Sequence, residues 1–194
     1  MKKISLFTLS VLLLSVSCKN TTKKEKETIT EEEPAPTTEV QAEPAKELTV
    51  QMEPKSESNV KGMAVFKEED GTVTMTATFE GLEPGEHAIH LHEKADCSAP
   101  DGTSTGGHWN PTFQKHGKWG DSEGYHKGDI GNFTADEEGN GSITFSTDEW
   151  CIDCDDETKN IIGKGVIVHQ APDDFVTQPT GDAGSRVSCG GVIQ

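Results

Sequence analysis

The sequence has one arginine, Arg186, and one tyrosine, Tyr125, among 194 residues. Beyond residue 16 it has no long hydrophobic run, and only 31% of its residues are hydrophobic. That is too little, and too scattered, for the apolar stripes of a helical bundle. Basic side chains are outnumbered 17 to 34, giving a net charge of −17. No cationic stripe could follow a phosphate backbone, so nucleic acid is not expected as a partner. The same excess repels an anionic substrate at long range, unless a local cation reverses the field. What is plentiful is glycine, at 20 residues, which suits short strands joined by many turns.

The first 17 residues read as a signal peptide. Lys2 and Lys3 form its positive start, and Ile4 to Val16 its apolar stretch, short for a bilayer span. Ser15-Val16-Ser17-Cys18 resembles a lipobox, although Ser15 stands where leucine is usual. Cys18 is therefore the expected lipidation site, and an ordinary secretory signal is the alternative. Residues 18–47 hold the lipidated cysteine and a Lys-, Glu-, Thr- and Pro-rich tether that cannot bury enough surface to order itself. Residues 48–194 form the expected domain, with 26 acidic and 10 basic side chains, a net of −16. The resemblance to a lipoprotein signal implies a bacterial cell envelope as the expected location, periplasmic or on the outer surface, with the protein held to a membrane. Nothing in the sequence fixes an oligomeric state.

Thr72-Val73-Thr74-Met75-Thr76-Ala77-Thr78-Phe79 alternates strictly, the pattern of a half-buried strand. Weaker strands are predicted at 60–67, 87–92, 129–135, 141–146 and 164–170. Glu69-Asp70-Gly71, Glu83-Pro84-Gly85 and Gly139-Asn140-Gly141 supply turns between them. The fold class is all-β, a sandwich or barrel, with long functional loops at 93–128 and 171–185.

The seven histidines are not scattered. In His87-Ala88-Ile89-His90-Leu91-His92, a strand puts His90 and His92 on one face and Ile89 and Leu91 on the other. Two imidazoles at i and i+2 can share a metal. His87 falls on the Ile89/Leu91 face, where a buried hydrogen bond is its expected role. His169 closes Val166-Ile167-Val168-His169 and can join His90 and His92 from another strand, a donor set suited to Cu(II). A second group, His108, His116, His126 and Asp129, lies in a glycine-rich loop. Three imidazoles and one carboxylate suit tetrahedral zinc. Exposed loop histidines are the plainer alternative, and the concentration of all seven in this pattern argues against it.

These residues resemble the copper–zinc superoxide dismutase family. The resemblance runs through Gly85–Glu93, Gly107-His108-Trp109-Asn110-Pro111, His116-Gly117, His126–Asn132, Val168-His169 and Gly181–Gly190, and so covers the whole domain. It implies a Greek-key β-sandwich or barrel of about eight antiparallel strands with long metal-binding and channel loops. It implies an oxidoreductase that converts superoxide to O₂ and hydrogen peroxide through Cu(II)/Cu(I) cycling. Copper falls to His90, His92, His108 and His169, and zinc to His108, His116, His126 and Asp129. His108 is shared as a bridge and takes part in catalysis. Asp173 hydrogen-bonds His90 and His116. Arg186 guides the anion, and Thr180 stands across the access channel. Ala88-Ile89 replaces the usual Gly-Phe, and Asp182 a common Asn. The loop from Asp173 to Ser185 has no lysine, which puts rapid steering, not the chemistry, in question.

Export permits disulfides. The family resemblance pairs Cys97 with Cys189, closing a loop of about 90 residues, on the order of 4 kcal/mol in the chain-entropy picture. Cys151-Ile152-Asp153-Cys154 lies outside that pattern. A local disulfide, a redox pair and a copper-loading site compete for it, the first favoured by the oxidising compartment. The rival function is a metal store or copper-delivery module. Four copper ligands together with Arg186 favour the enzyme.

Overall fold

The computed structural model describes residues 45–194. The signal peptide, Cys18 and nearly all of the tether lie outside that range. Eight strands form a closed antiparallel barrel: β1 (Lys46–Pro54), β2 (Lys61–Glu69), β3 (Thr72–Glu80), β4 (Gly85–His92), β5 (Gly131–Ala135), β6 (Gly141–Thr147), β7 (Gly165–His169) and β8 (Arg186–Gly191). The spatial order is β1-β2-β3-β6-β5-β4-β7-β8. Strands β4, β5 and β6 follow one another as neighbours, and β7 returns to lie beside β4, which is a Greek key.

Alternation builds the interior. In β3, Val73, Met75, Ala77 and Phe79 face the core while the intervening threonines face outward. Phe66, Ile89, Leu91, Val166 and Val168 meet them from the other strands. Burying such side chains contributes roughly 1.5–3 kcal/mol each.

Two strands escape the sequence pattern. β1 carries only Val50 and Met52 as fully buried apolar residues and runs straight on from the tether. It begins at Lys46, so Lys46 and Glu47 belong to the barrel and not to the tether: they pair with Glu68 and Lys67. β8 reads Arg-Val-Ser-Cys-Gly-Gly, with little β-propensity. Its Gly190 is required, because a side chain there would strike Gln51 O and the Met52 sulfur of β1, 2.6 Å away. The strand expected at 129–135 begins at Gly131, which leaves Asp129 in the preceding turn.

β5 and β6 pair only at Ala135 and Gly141. A group of aromatic rings joins β6 to two of the loops. Trp119 and Tyr125 come from the β4–β5 loop, Phe145 from β6 and Trp150 from the β6–β7 loop, with centroids 4.8–5.9 Å apart.

Candidate metal centre

Strand register decides which way the histidines face. Ile89 pairs with Val168 and His90 with Ile167, so Ile89 and Val168 point into the barrel together. His90, His92 and His169 therefore point outward. They are nevertheless buried, at 0%, 0% and 4% exposure, because the long loops cover that face. A register shift between Val168 and His169 sets His169 opposite Arg186 of β8, the local re-aiming that a bulge permits.

The β4–β5 loop folds back on β4. Trp109 donates its N–H to Leu91 O at 2.8 Å, and Leu91 donates to Gly128 O at 2.9 Å. A bridge between His92 and His108 continues this contact. Gly128 has to be glycine, since a side chain would run into the Leu91 carbonyl. These contacts bring His108, His126 and Asp129 beside the strand histidines.

Two four-residue groups result. One is His90, His92, His108 and His169; the other is His108, His116, His126 and Asp129. In each, one potential ligand atom per residue lies within 4.8 Å of all the others. His87 belongs to neither. Its ring nitrogens lie 2.9 Å from His169 O and 2.7 Å from Glu83 O, on the core face beside Phe133.

Hydrogen bonds orient most of the rings. His90 and His116 donate from Nε2 to the two oxygens of Asp173, at 2.8 and 2.9 Å. His92 donates from Nδ1 to Gly106 O at 3.0 Å, and His169 from Nδ1 to Gly184 O at 3.3 Å. His108 Nδ1 lies 2.8 Å from Asp129 Oδ1. The opposite nitrogens form a coherent set. His90 Nδ1, His92 Nε2, His108 Nε2 and His169 Nε2 are buried without a partner, as are His116 Nδ1 and His126 Nδ1. The last two lie 3.0 and 3.2 Å from Asp129 oxygens but are not aimed at them as hydrogen bonds. An orphaned buried polar atom costs about 1–3 kcal/mol. Six of them, all turned into the two groups, fit metal ligation: four imidazoles suit copper, and three with a carboxylate suit zinc.

The electrostatics agree. Burial, then the neighbouring imidazoles, push His92 and His169 well below the usual histidine range. Burial and nearby His90 bring His108 down to about 4, despite Asp129. These rings are neutral at pH 7 and free to ligate. His116 behaves oppositely: burial pulls it down, but Asp129 and Asp173, one on each side, outweigh that and raise it to about 9. Asp129 and Asp173, although buried, are held well below the carboxylate range by the histidines they face.

The family model for copper/zinc superoxide dismutase matches residues 60–193. The chain belongs to the copper/zinc superoxide dismutase family. Solved structures similar to it include a double mutant of a SOD-like protein from Bacillus subtilis, 30% identical, with 75% of this chain and 97% of that one covered at a TM-score of 0.67. A single mutant of that protein, and a further crystal structure of a SOD-like protein from the same organism, are 28% identical with the same coverage and TM-score. As a family member the chain is an oxidoreductase that dismutates superoxide and uses copper and zinc.

Within this superoxide dismutase, Arg186 is half-buried. It donates from one terminal nitrogen to Gly102 O and Thr105 Oγ1 and from the other to Gly106 O, each at 2.8 Å. Three of its five N–H bonds thus clamp the loop leading to His108, and the other two make no hydrogen bond among the described residues. Asp101 is a charged neighbour. Thr180 lies half-buried in the turn of the β7–β8 loop. Cys97 and Cys189 are bonded, with Cα atoms 5.9 Å apart, so β8 holds the same loop by a disulfide as well as by Arg186. Cys151 and Cys154 are bonded to each other.

Two supporting side chains were not legible as such. Asn132 of β5 exchanges hydrogen bonds with the Asp173 backbone, at 2.8 and 2.9 Å. Its family-like segment was visible, but not this role. Gln178 does the same for the His116 backbone, at 3.0 and 2.8 Å, and no local pattern announces it.

Proposed function

We propose that the protein is a lipid-anchored superoxide dismutase of the bacterial cell envelope, with two metals sharing one imidazole. His90, His92, His108 and His169 would hold copper, and His108, His116, His126 and Asp129 would hold zinc. The observation that carries this reading is the set of six buried ring nitrogens without partners, split between two groups that have His108 in common.

Two superoxide ions and two protons give O₂ and hydrogen peroxide. Copper, when bound, supplies the one-electron acceptor and donor, alternating between Cu(II) and Cu(I), while zinc holds the His108 ring. The protein's own residues do the rest. Arg186 offers its two remaining N–H bonds to the anion, and its fixed fork orients that anion as a lysine could not. Thr180 narrows the opposite side of the approach. His108 Nε2 takes up a proton in one half of the cycle and releases it toward peroxide in the other. Nδ1 of the same ring lies 2.8 Å from Asp129 Oδ1, and these two atoms together would serve zinc, which would keep the ring in place meanwhile. Asp173 locks His90 and His116 to each other through their Nε2 atoms, and so ties the two sites mechanically.

The signal-like start and Ser15-Val16-Ser17-Cys18 support export and attachment through a lipid on Cys18. Among the described residues no helix is long and apolar enough to cross a membrane.

Electron paramagnetic resonance tests the shared ligand. With Cu(II) in both sites, a common imidazolate couples the two unpaired electrons, and the single-ion signals disappear. Two independent copper signals would contradict the bridge.

A further inference from the structure

Glu149, on the β6–β7 loop, belongs to neither metal group. Its carboxylate accepts a hydrogen bond from the Tyr125 hydroxyl at 2.6 Å and one from the Lys127 ammonium. The next residue, Trp150, donates its indole N–H to Lys127 O at 2.8 Å. These bonds seize the residues on either side of His126.

His126 needs such help. A metal-binding imidazole ordinarily gives its remote N–H to a carboxylate or carbonyl, which fixes the ring. In the second group His116 has Asp173 for this, and His108 is shared with the first group. The His126 ring makes no hydrogen bond to protein among the described residues. Only its backbone is tied, with its N–H to Asp129 Oδ2 at 2.8 Å and its carbonyl to Asp129 N at 3.1 Å.

We infer that Glu149 is a positioning residue for His126, holding its Nδ1 toward the zinc site by fixing Tyr125 and Lys127. The inference rests on the zinc reading above. The footing of this strut is firm. Trp150 is 1% exposed and packs against Phe66, Phe145 and Trp119. Ile152, equally buried, donates its N–H to Glu68 at 2.9 Å and accepts from Lys46 Nζ at 2.6 Å. The Cys151–Cys154 bond closes the short segment that carries Ile152, directly after Trp150. The motif that lay outside the family pattern thus becomes the abutment of a brace running from barrel wall to zinc loop.

The test uses the full chain carrying Glu149→Ala, Glu149→Gln or Tyr125→Phe, with Glu157→Gln, an exposed change in the same loop, as control. Three quantities are read: zinc affinity by competition with a chromophoric chelator, the visible bands of Co(II) placed in the zinc site, and melting of the metal-free protein. Glu149→Ala is expected to weaken zinc by about 10- to 100-fold and to reduce the tetrahedral Co(II) bands. Glu149→Gln weakens it less, and Glu157→Gln leaves it unchanged. Tyr125→Phe, which removes one hydroxyl and decides the matter if Glu149→Ala does not fold, weakens zinc about threefold. Lower melting with zinc affinity within about twofold of the parent would show that Glu149 supports only the fold, and would overturn the inference. A parent chain that takes up no zinc would instead overturn the zinc reading on which it rests.

Discussion

Replacing Asp173 by Asn probes the joint between the two sites. The carboxylate accepts from His90 Nε2 at 2.8 Å, His116 Nε2 at 2.9 Å and Phe175 N at 2.7 Å. An amide keeps the shape but turns one oxygen into a donor, which then faces an N–H. The imidazole concerned must rotate or move its proton to the nitrogen that binds metal. One lost charge-assisted hydrogen bond is worth about 1.5–3 kcal/mol, equivalent to roughly 10- to 100-fold in affinity. The loss should fall mainly on zinc. His90 is fixed by strand pairing whatever Asp173 does, whereas His116 hangs on a loop held by Asp173 and Gln178. Chelator competition for each metal is the assay. Zinc affinity weakened about 10- to 100-fold, with copper weakened less, is the expected result. Unchanged zinc affinity, or a loss confined to copper, would refute the reasoning.

Arg186→Ala should lower kcat/KM on the order of 10- to 100-fold with both metals still bound; an unchanged rate at subsaturating superoxide would remove its role in capture. Raising ionic strength to about 0.1 M, where charges beyond roughly 10 Å are screened, should leave kcat/KM level or raise it, because the domain is acidic; a steep fall would mean that attraction dominates the approach. Cys97→Ser should reduce stability by on the order of 4 kcal/mol, read as the shift in denaturant midpoint at constant slope. In the metal-free protein His116, held at about 9 by its two carboxylates, carries a proton at pH 7. Zinc must displace it, so zinc affinity rises as pH is raised toward 9 and levels off above; calorimetry in buffers of different ionisation heat would show no proton release if this is wrong.

Much of this site was readable because β geometry is simple. The i, i+2 spacing of His90 and His92 fixes one face, and the same parity sets His87 on the other. The Cys97–Cys189 pair and the sharing of His108 between the two groups followed from resemblance and needed no register. What stayed hidden depends on contacts far apart in sequence. Gln178 reaches a backbone 62 positions away, and Arg186 clamps a loop 80 or more away. β8 has no alternation pattern of its own, because Gly190 and Gly191 lower its strand signal while serving close approach to β1 and to Ala95. β1 was missed because its alternation is brief and adjoins a polar tether. The Glu149 brace joins loops whose proximity only the barrel's strand order creates.

The most direct test of the account is superoxide dismutation by the purified chain after loading, with copper and zinc counted in the same sample. One copper and one zinc per chain, with rapid cyanide-sensitive dismutation, is the predicted result. Full loading of both sites without acceleration above free buffer would contradict it, and would make the protein a metal store built on an enzyme's fold.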